Sequence, residues 1–484
     1  MSKLQRYIID AWEPLEIKGN LPVDIMHVTD NSREVQPGSL FVAVKGLTID
    51  GHRYIPQAVE NGATVIITEE KTELPENIVQ IVVPSTRKLL PRLAQWFYGN
   101  PSKELKLIGV TGTNGKTSVV TMLHRLFSAT GRKAGKISTI DIQTPEKKFP
   151  AKQTTPGLLQ LFALLRQMKN EGAEFVFMEV SSHGIDQNRI AGLDFAGAVF
   201  TNLTRDHLDY HGDFTRYRDT KKKFFDRLSP NAFALVNKDD KNGLFMLQNT
   251  RAKRYTYGIM NPADFKTEIL EMDFAGMKLH INGKELWTPL TGKFNAYNLT
   301  AVYGTAILAG LDEEETALHL SRETGAPGRF ERFVSSEGIV AIVDYAHTPD
   351  ALENVLKTVN EIRKSGRQII TVFGAGGNRD KGKRPLMGKI AVKYSDRIIV
   401  TSDNPRTEDP RQIIEDILGG LDSTEKLRTL IIPDRSEAIK AAIAMAGPGD
   451  VVLVAGKGHE NYQIIGTKKK HFDDKEEILK IFNH

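Results

Sequence analysis

The sequence predicts a three-domain α/β protein. Three observations carry this prediction: the chain length, the alternation of apolar strand patterns with helical patterns, and two clusters of residues that break helices and strands. With 484 residues, the chain is long enough for about three domains of ordinary size. Strands that alternate with helices are typical of mainly parallel sheets with covered faces. The breaker clusters, at residues 99–102 and 325–328, predict domains over residues 1–100, 101–328 and 329–484.

The first domain contains short runs rich in β-branched residues. These runs predict strands at residues 39–44, 63–68 and 78–83. Apolar residues at helical spacing then predict a helix over residues 89–98, directly before the first breaker cluster. We therefore expect a smaller α/β domain here.

The second domain opens with a buried-strand pattern at residues 107–110, a glycine-rich turn, and apolar residues at helical spacing over residues 119–127. Further strand patterns follow at residues 175–180, 196–201 and 232–236. The alternation predicts a largely parallel sheet.

The third domain repeats the alternation more regularly. Its predicted strands are residues 339–343, 368–373, 397–401, 430–432 and 451–454, and its predicted helices include residues 351–364 and 436–446. Four polar loops follow these strands, at residues 344–347, 374–379, 402–406 and 456–460. Ligands bind outside the carboxyl ends of the strands in open α/β sheets, so these loops predict one shared site.

The composition excludes several classes of protein. Hydrophobic residues make up 40% and charged residues 26% of the chain, which is typical of a globular protein and not of a disordered one. The net charge of +5 does not indicate binding to nucleic acid or a membrane surface. The chain contains no cysteine, so a metal would need oxygen or imidazole ligands. Without a signal-peptide pattern or an apolar run of about 18 residues, we expect a cytoplasmic protein with no membrane span.

The strongest local motif is TGTNGKT at residues 111–117, between a predicted strand and a predicted helix. Glycines allow backbone N–H groups to approach phosphate oxygens, Lys116 neutralises charge, and the hydroxyl of Thr117 can bind Mg²⁺. The motif departs from the general pattern because Val110 stands where a glycine is expected. An incidental glycine-rich turn is the alternative, but the strand–loop–helix context favours binding of a nucleotide triphosphate.

Two further side chains follow neighbouring strands of the second domain. Glu179 and His207 could bind Mg²⁺ together with Thr117, although a single histidine is more often a structural residue. The run Lys221-Lys222-Lys223 by itself is typical of a solvated basic surface.

Charged side chains also cluster in the loops of the third domain. They are Arg379, Lys383, Arg384, Asp403, Asn404, Arg406 and Glu460. Arginines suit bidentate recognition of an anionic ligand, and a carboxylate could bind an ammonium group. A surface salt-bridge network is the alternative for any one of these charges.

Together these motifs resemble those of the Mur ligase family, the ATP-dependent amide-forming enzymes that build the peptide of bacterial cell-wall precursors. The resemblance extends over essentially the whole chain, at residues 30–33, 37–41, 111–117, 154–156, 179–183, 295–298, 328–331 and 456–460. It implies an N-terminal domain that binds a UDP-linked precursor, a central P-loop ATPase-like domain, and a C-terminal Rossmann-like domain that binds an amino acid.

The resemblance also implies a reaction. ATP would phosphorylate a carboxylate of UDP-N-acetylmuramoyl-L-alanyl-D-glutamate, and the amine of an amino acid would attack the acyl phosphate. The implied cofactors are ATP and Mg²⁺, the implied partners are small-molecule substrates, and we expect a monomer that binds no nucleic acid. The implied catalytic residues are Lys116, Glu179, His207 and Lys221, the last as a carbamate.

Further roles follow from the resemblance alone. The implied metal ligands are Thr117, Glu179, His207 and carbamylated Lys221. The implied ATP-binding residues are Gly112, Thr113, Asn114, Gly115, Lys116, Thr117, Asn295, Asn298, Arg329 and Asp344. The implied precursor-binding residues are Ser32, Thr154, Thr155, Ser181, Gln187 and Arg189. Lys222 and Lys223 receive no such role.

The choice of amino acid depends on residues 403–406, which resemble the motif of family members that select meso-diaminopimelate. The implied binding residues are Arg379, Asp403, Asn404, Pro405, Arg406, Gly456 and Glu460. L-Lysine lacks the distal carboxylate and would leave two guanidinium groups unpaired, at a cost of about 1–3 kcal/mol or more. Ala375 and Asn378 depart from the cysteine and aspartate that relatives often have, which leaves the fine geometry of this loop open.

Three alternatives remain. An L-lysine-adding ligase would share most of the chain's motifs. A folylpolyglutamate synthetase would share the acyl phosphate chemistry but is disfavoured by the region around Ser32. A non-catalytic nucleotide-binding switch or nucleic-acid motor would need a basic stripe or an aromatic stacking surface, which the sequence does not show.

Overall fold

The computed structural model confirms the α/β class, with three sheets that are mainly parallel. It describes residues 8, 12, 14–20, 25–46 and 49–483. The predicted first domain begins at residue 1, and its residues 1–7 lie outside the described part. The three sheets are formed by strands within residues 16–82, 106–288 and 331–455, so each sheet uses one consecutive stretch of chain.

The first sheet contains β1 (Glu16–Lys18), β2 (His27–Thr29), β3 (Ser39–Val42), β4 (Ala63–Thr68) and β5 (Val79–Val82). Its strand order is β1-β5-β4-β3-β2, and β1 runs antiparallel to β5. Two helices accompany it, α1 (Ile55–Glu60) and α2 (Thr86–Tyr98). Helix α2 begins before the predicted residue 89 because the Oγ of Ser85 accepts the N–H of Lys88 at 3.4 Å and caps its first turn.

The central sheet contains β6 (Lys106–Thr111), β7 (Ala134–Ile137), β8 (Asp141–Gln143), β9 (Lys148–Pro150), β10 (Phe175–Glu179), β11 (Gly197–Phe200), β12 (Phe233–Asn237), β13 (Lys253–Gly258), β14 (Phe265–Met272), β15 (Met277–Ile281) and β16 (Lys284–Thr288). Its helices include α3 (Lys116–Ala129), α4 (Leu158–Asn170), α5 (Ser182–Asp186), α6 (Leu208–His211), α7 (Phe214–Asp226), α8 (Gly243–Met246), α9 (Lys293–Leu308) and α10 (Glu313–Leu320). The strand order is β16-β15-β14-β13-β12-β11-β6-β10-β7-β8-β9.

The strands from β14 to β7 in this order are parallel, which confirms the prediction of a largely parallel sheet. Antiparallel strands extend both edges, and the sequence analysis did not predict them. In β14, buried Thr267 is followed by exposed Glu268, so the strand lacks the continuous apolar run of a strand buried on both faces.

The third sheet contains β17 (Glu331–Val334), β18 (Val340–Asp344), β19 (Ile369–Phe373), β20 (Arg397–Val400), β21 (Thr429–Ile431) and β22 (Val451–Ala455), and β23 (Tyr462–Ile465) and β24 (Lys468–His471) form a separate hairpin. Its helices are α11 (Pro349–Ile362), α12 (Lys383–Tyr394), α13 (Pro410–Leu418), α14 (Ser423–Leu427), α15 (Arg435–Ala444) and α16 (Asp474–Phe482). The strand order is β17-β18-β22-β19-β20-β21.

Strand β22 lies between β18 and β19, although it is the last of the six in the chain. Strands β18, β22, β19 and β20 are therefore adjacent and parallel. Their carboxyl ends lie at one edge of the sheet and carry the four polar loops that the sequence predicts to share a site. The reversal of strand order opens a crevice at this edge.

A fully buried ion pair fastens the last helix to this sheet. The guanidinium of Arg435 donates to both carboxylate oxygens of Asp474, at 2.7 and 2.8 Å, and to the carbonyl of Ala455 at 3.0 Å. Ala455 ends β22, directly before the loop at residues 456–460. Separately, no helix in the described part of the chain is both long and apolar enough to cross a membrane.

We predict that Asp474→Asn destabilises the protein by about 3–5 kcal/mol, because it leaves the buried charge of Arg435 without its partner. Urea unfolding of the full-length protein measures the change. Glu437→Gln is the matched control, since it breaks an exposed ion pair with Lys440 (2.9 Å) and should cost less than about 1 kcal/mol. Equal losses in the two variants would contradict the prediction.

Candidate active site

A cavity of about 550 Å³ lies between the central and third sheets. Many of the residues that the sequence predicts to bind ligands line it together. They are Gly112, Thr113, Asn114, Gly115, Lys116, Thr117, Thr154, Glu179, Ser181, His207, Lys221, Asn298, Arg329 and Asp344. The predicted residues Ser32, Thr155, Gln187, Arg189 and Asn295 and the predicted amino-acid-binding residues lie outside this lining.

The phosphate-loop motif connects β6 to α3, as the sequence predicts. Gly115 has a φ of 87°, and a Cβ there would lie 2.6 Å from the Oδ1 of Asn298. At Gly112, a Cβ would lie 1.9 Å from the Oγ1 of Thr201. Only glycine therefore fits at these two positions. Val110, the departure from the general motif, is fully buried within β6 and pairs with β10 and β11, so it belongs to the sheet.

Two lysine side chains converge on the carbonyl oxygen of Gly112. The Nζ of Lys116 donates to it at 2.9 Å and the Nζ of Lys221 at 2.8 Å. Burial lowers the pKa of both lysines, and the charge of Lys116 lowers that of Lys221 further. Lys221 is 1% exposed and Lys222 is paired with Asp226, so a solvated basic surface describes only Lys223.

Glu179, at the end of β10, is a buried carboxylate whose hydrogen bonds come from uncharged groups. Its Oε1 accepts the hydroxyl of Thr117 at 2.9 Å and the N–H of Thr139 at 2.7 Å, and its Oε2 accepts the hydroxyl of Thr139 at 3.2 Å. Within the described residues it forms no ion pair with lysine or arginine. Oxygen donors around an unpaired buried carboxylate fit Mg²⁺.

A cluster of aromatic rings includes that of His207, which lines the same cavity as Glu179. The ring of His183 is centred 4.9 Å from that of His207, 4.1 Å from that of Tyr210 and 5.7 Å from that of His211. Burial lowers the pKa of His207 to about 3, so its ring is neutral near pH 7 and can offer a lone pair. Among the described residues, no three His, Asp or Glu side chains form a metal site by themselves. A metal here would also need Thr117, the nucleotide phosphates or a modified Lys221.

Residues of the third domain close the cavity from the other side. Asp344 ends β18, and its carboxylate accepts the N–H groups of Phe330 and Ala346, both at 2.7 Å. Burial raises the pKa of Asp344 to about 6. The Nη2 of Arg329 donates to the hydroxyl of Thr117 at 3.3 Å, which joins this domain to the phosphate loop.

The predicted ATP-binding asparagines have different positions. Asn298 lines the cavity beside Gly115, whereas Asn295 accepts a hydrogen bond from the Nδ2 of Asn298 at 3.4 Å and donates to the carbonyl of Thr291 at 2.9 Å. Asn295 therefore lies outside the cavity lining and holds the side chain of Asn298 by a hydrogen bond.

The predicted precursor-binding residues occupy two regions. Ser32 lies in the first domain, where its hydroxyl donates to Gln57 at 2.7 Å. Arg189 donates to the carbonyl of Thr155 at 2.7 Å and to the Oε1 of Gln187 at 2.6 Å.

Thr154 and Ser181 face the cavity, whereas Thr155 is fully buried behind Ser181. The hydroxyl of Thr155 donates to the carbonyl of Glu179 at 2.9 Å and accepts the N–H of Ser181 at 3.0 Å. Its side chain therefore positions Ser181.

The predicted amino-acid-binding loops meet at the edge of the third sheet. A Cβ on Gly376 would lie 3.0 Å from the Nη1 of Arg406 and 3.7 Å from the Cγ of Arg379, so both arginines flank this glycine. The Nη1 of Arg406 donates to the carbonyl of Gly377 at 2.8 Å. Within the described residues neither arginine forms an ion pair with a carboxylate, and burial and the charge of Arg379 lower the pKa of Arg406. The pair is suited to an anionic ligand.

Acidic and amide groups lie next to these arginines. The Oε2 of Glu460 accepts the Nδ2 of Asn404 at 2.8 Å and lies 3.6 Å from the Nζ of Lys457. Lys457 is fully buried and also lies 3.6 Å from Asp403. Gly456 has a φ of 118°, and a Cβ there would lie 2.9 Å from the Oδ2 of Asp403.

Sequence reasoning missed several residues of the site, among them Tyr345 and Thr139. Tyr345 links its two halves, since its ring lies under the guanidinium of Arg329 (4.3 Å) and its hydroxyl donates to Glu460 at 3.5 Å. Its place in a polar loop after a strand was visible in the sequence, but no spacing rule selects it. Thr139 was missed because it follows β7 (Ala134–Ile137), which contains a glycine and a lysine and so has no continuous apolar run.

The structure corrects the interpretation of Arg384 as a residue that could contact an anionic ligand. Its side chain is fully buried and pairs with Glu408 at 2.9 Å and Asp416 at 2.7 Å. Lys383, the preceding residue and another of the predicted charged loop residues, donates to the carbonyl of His347 at 2.8 Å.

Comparison with known families covers most of the chain. The model described as "Mur ligase family, catalytic domain" matches residues 24–98, the "Mur ligase middle domain" matches residues 110–306, and the "Mur ligase, glutamate ligase domain" matches residues 328–458.

Individual proteins extend this similarity. UDP-N-acetylmuramoyl-L-alanyl-D-glutamate--2,6-diaminopimelate ligase of Bacteroides fragilis is 52% identical over 477 residues, which cover 98% of each chain. A solved structure of a ligase with the same name has 35% identity and a TM-score of 0.68 and covers 97% of each chain. The MurF ligase from Thermotoga maritima in complex with ADP shares the fold, with 22% identity, a TM-score of 0.63, and coverage of 89% of this chain and 94% of its own.

We predict that Gly115→Ala weakens ATP binding by about tenfold or more, because strain of about 1–3 kcal/mol at a positive φ and the contact with Asn298 displace the loop. Calorimetric titration with a non-hydrolysable ATP analogue measures the affinity. Gly157→Ala is the matched control, since its φ is −58° and a Cβ there meets nothing within 4 Å. Unchanged affinity in Gly115→Ala would show that the loop does not hold the nucleotide.

Proposed function

Because the chain belongs to the Mur ligase family, we propose that it adds meso-diaminopimelate to UDP-N-acetylmuramoyl-L-alanyl-D-glutamate in peptidoglycan precursor synthesis. As a member of this family it is an ATP-dependent amide ligase. The observation that carries the choice of amino acid is the pair Arg379 and Arg406, two cations that flank Gly376 and form no ion pair with a carboxylate among the described residues.

The reaction joins a carboxylate to an amine in two displacements. A carboxylate oxygen of the D-glutamyl group attacks the γ-phosphorus of ATP, ADP leaves, and an acyl phosphate forms. The nitrogen of the amino acid then attacks the acyl carbon, and phosphate leaves as the amide forms and a proton is released. Lys116, Arg329 and the N–H groups of the phosphate loop neutralise the charge that moves between these oxygens.

The cavity supports this reaction because residues of the central and third domains line it together. Thr154 and Ser181 lie beside Glu179 and can hold the D-glutamyl end of the precursor. Ser32, Gln187 and Arg189 remain proposals for its distal parts, and Asn298 and Asp344 for the nucleoside of ATP. Contacts between Arg329 and Thr117 and between Asn114 and Asp350 (3.0 Å) close the cavity and limit the access of water to the acyl phosphate.

Mg²⁺ fits the residues around Glu179. Thr117, Glu179 and His207 offer a hydroxyl, a carboxylate and a neutral imidazole, and the charge of a bound Mg²⁺ would stabilise the triphosphate. Lys221 in its carbamate form would add an anionic oxygen to this set. Its buried Nζ, once it has lost one proton, can attack the carbon of CO₂ and release a second proton as the carbamate forms, so that a negative charge replaces the positive one next to Lys116.

The amino acid binds, in this proposal, across the loops of the third sheet. Arg379 and Arg406 pair with the distal carboxylate of meso-diaminopimelate, while Glu460, Asn404 and the loop at Gly456 hold the distal ammonium. Asp403 and Pro405 shape the same loop. L-Lysine would leave both guanidinium groups without an anion, so an L-lysine-adding ligase is less well supported.

We further propose a monomer in the cytoplasm, with domains over residues 1–100, 101–328 and 329–484. The cytoplasmic location is supported by the proposed substrates, because ATP and the UDP-linked precursor are nucleotides of the cytoplasm.

We predict that the protein releases ADP only when the UDP-linked dipeptide and meso-diaminopimelate are both present. Replacing meso-diaminopimelate by L-lysine should lower kcat/KM by about 10²-fold or more, because the site leaves two cations unpaired. A coupled ADP assay and mass spectrometry of the tripeptide product measure both quantities. Equal efficiencies with the two amino acids would contradict the selectivity, and ADP release without the precursor would contradict the function.

We predict that Lys221→Ala lowers the rate of amide formation by about 10²-fold or more, because it removes a charged group held in the cavity. The wild-type protein in ¹³C-bicarbonate should show a carbamate carbon signal by NMR that the variant lacks. Lys223→Ala is the matched control from the same run, since Lys223 is exposed, and should retain both activity and signal. Full activity in Lys221→Ala would refute the role of Lys221.

A further inference from the structure

Arg384 is a buried cation that touches both loops of the proposed amino-acid site. Its guanidinium donates to the Oε2 of Glu408 at 2.9 Å, to the Oε1 of Glu408 at 3.1 Å and to the carbonyl of Gly376 at 3.2 Å. Gly376 belongs to the loop that carries Arg379, and Glu408 follows the loop that carries Arg406. The side chain has no exposed surface, so it cannot contact the amino acid itself.

Glu408 in turn links Arg384 to the residue next to Arg379. Its Oε1 accepts the backbone N–H of Asn378, the residue directly before Arg379. The side chain of Asn378 in turn accepts the N–H and the hydroxyl of Thr407, at 3.2 and 2.9 Å, directly after Arg406. Hydrogen bonds from Arg384 lower the pKa of Glu408 to about 2, so the carboxylate stays ionised at physiological pH.

The backbone around the two arginines needs such support. Asn378 and Arg406 both have a positive φ, of 54° and 55°, which is unfavourable for residues other than glycine. The loops also touch closely, since a Cβ on Gly377 would lie 1.9 Å from the carbonyl oxygen of Pro405. Strained conformations of this kind persist where surrounding contacts determine them.

We propose that the Arg384–Glu408 pair is a positioning device for substrate selection: it sets the spacing and direction of Arg379 and Arg406 so that both guanidinium groups meet the distal carboxylate of the incoming amino acid. This inference rests on the proposed function and deepens it. A bidentate pair is directional, so it fixes the orientation of the loops as well as their distance. Ala375 and Asn378, which depart from the common family pattern, lie in the loop that carries Arg379. In this proposal, Asn378 links that loop to the loop that carries Arg406.

The structure supplies a matched control for this pair. Asp416 on α13 accepts from the same Nη1 of Arg384 at 2.7 Å, and its other carboxylate oxygen accepts from Gln412 on its own helix. Among the described residues, neither ligand-facing loop forms a hydrogen bond or an ion pair with Asp416. Removing its charge therefore perturbs Arg384 without releasing Arg379 or Arg406.

The test compares Glu408→Gln with Asp416→Asn in the ADP-release assay, at a temperature where melting curves show both variants folded. Glu408→Gln should raise the KM for meso-diaminopimelate by about tenfold, with kcat and the KM for ATP changed less than about twofold, because ground-state and transition-state binding are lost together. The ratio of kcat/KM for meso-diaminopimelate to that for L-lysine should fall to the same extent. Asp416→Asn should leave both the KM and the ratio near the wild-type values.

Arg384→Lys provides a second, independent variant, since it keeps the buried charge but lacks the planar fork. It should show the same selective rise in KM. Loss of thermal stability with an unchanged KM for meso-diaminopimelate, or an equal rise in Asp416→Asn, would overturn the inference. The wild-type protein tests the proposed function, which fails if that protein does not use meso-diaminopimelate. If the wild-type protein is active but the variants keep its selectivity, only the positioning role is rejected.

Discussion

The proposed chemistry depends on buried charged side chains that have too few partners of opposite charge in the protein itself. Lys116 and Lys221 both donate to the carbonyl oxygen of Gly112, and Arg329 reaches the hydroxyl of Thr117 beside them. Nearby, the carboxylate of Glu179 is satisfied only by uncharged donors among the described residues. Buried charges are costly unless paired, so this arrangement favours a ligand that brings both negative phosphates and a cation. A metal-bound triphosphate has that composition.

The third domain also contains charged side chains that are only partly balanced by opposite charges. Arg379 and Arg406 lie close to each other and form no ion pair with a carboxylate among the described residues, while Lys457 lies 3.6 Å from both Asp403 and Glu460 and offsets part of their negative charge. The two halves of the site meet at Tyr345, whose ring contacts Arg329 and whose hydroxyl contacts Glu460. In the proposed function, Tyr345 would therefore join the part of the site that holds the amine to the part that holds the phosphates.

Much of the fold was accessible from local patterns. The buried strands β4, β6, β10 and β19 were predicted to within about one residue, because strands covered on both faces have nearly continuous apolar runs. The antiparallel strands at the edges of the central sheet were missed because none has a continuous apolar run: β8 and β9 have three residues each, and charged or polar residues interrupt β15 and β16. Helix α2 began earlier than predicted because a cap at Ser85, and not the apolar spacing, determines its start.

For the site, the sequence alone determined which residue types were present and that they follow strands: the phosphate loop, Glu179, and the charged loops of the third domain. Only the tertiary structure decided which of these charges are paired with an opposite charge. Arg379, Arg384 and Arg406 are chemically identical, yet burial and two acidic partners distinguish Arg384 from the other two. Whether a charge is free or paired depends on distances between segments far apart in the chain, and local pattern carries no information about those distances.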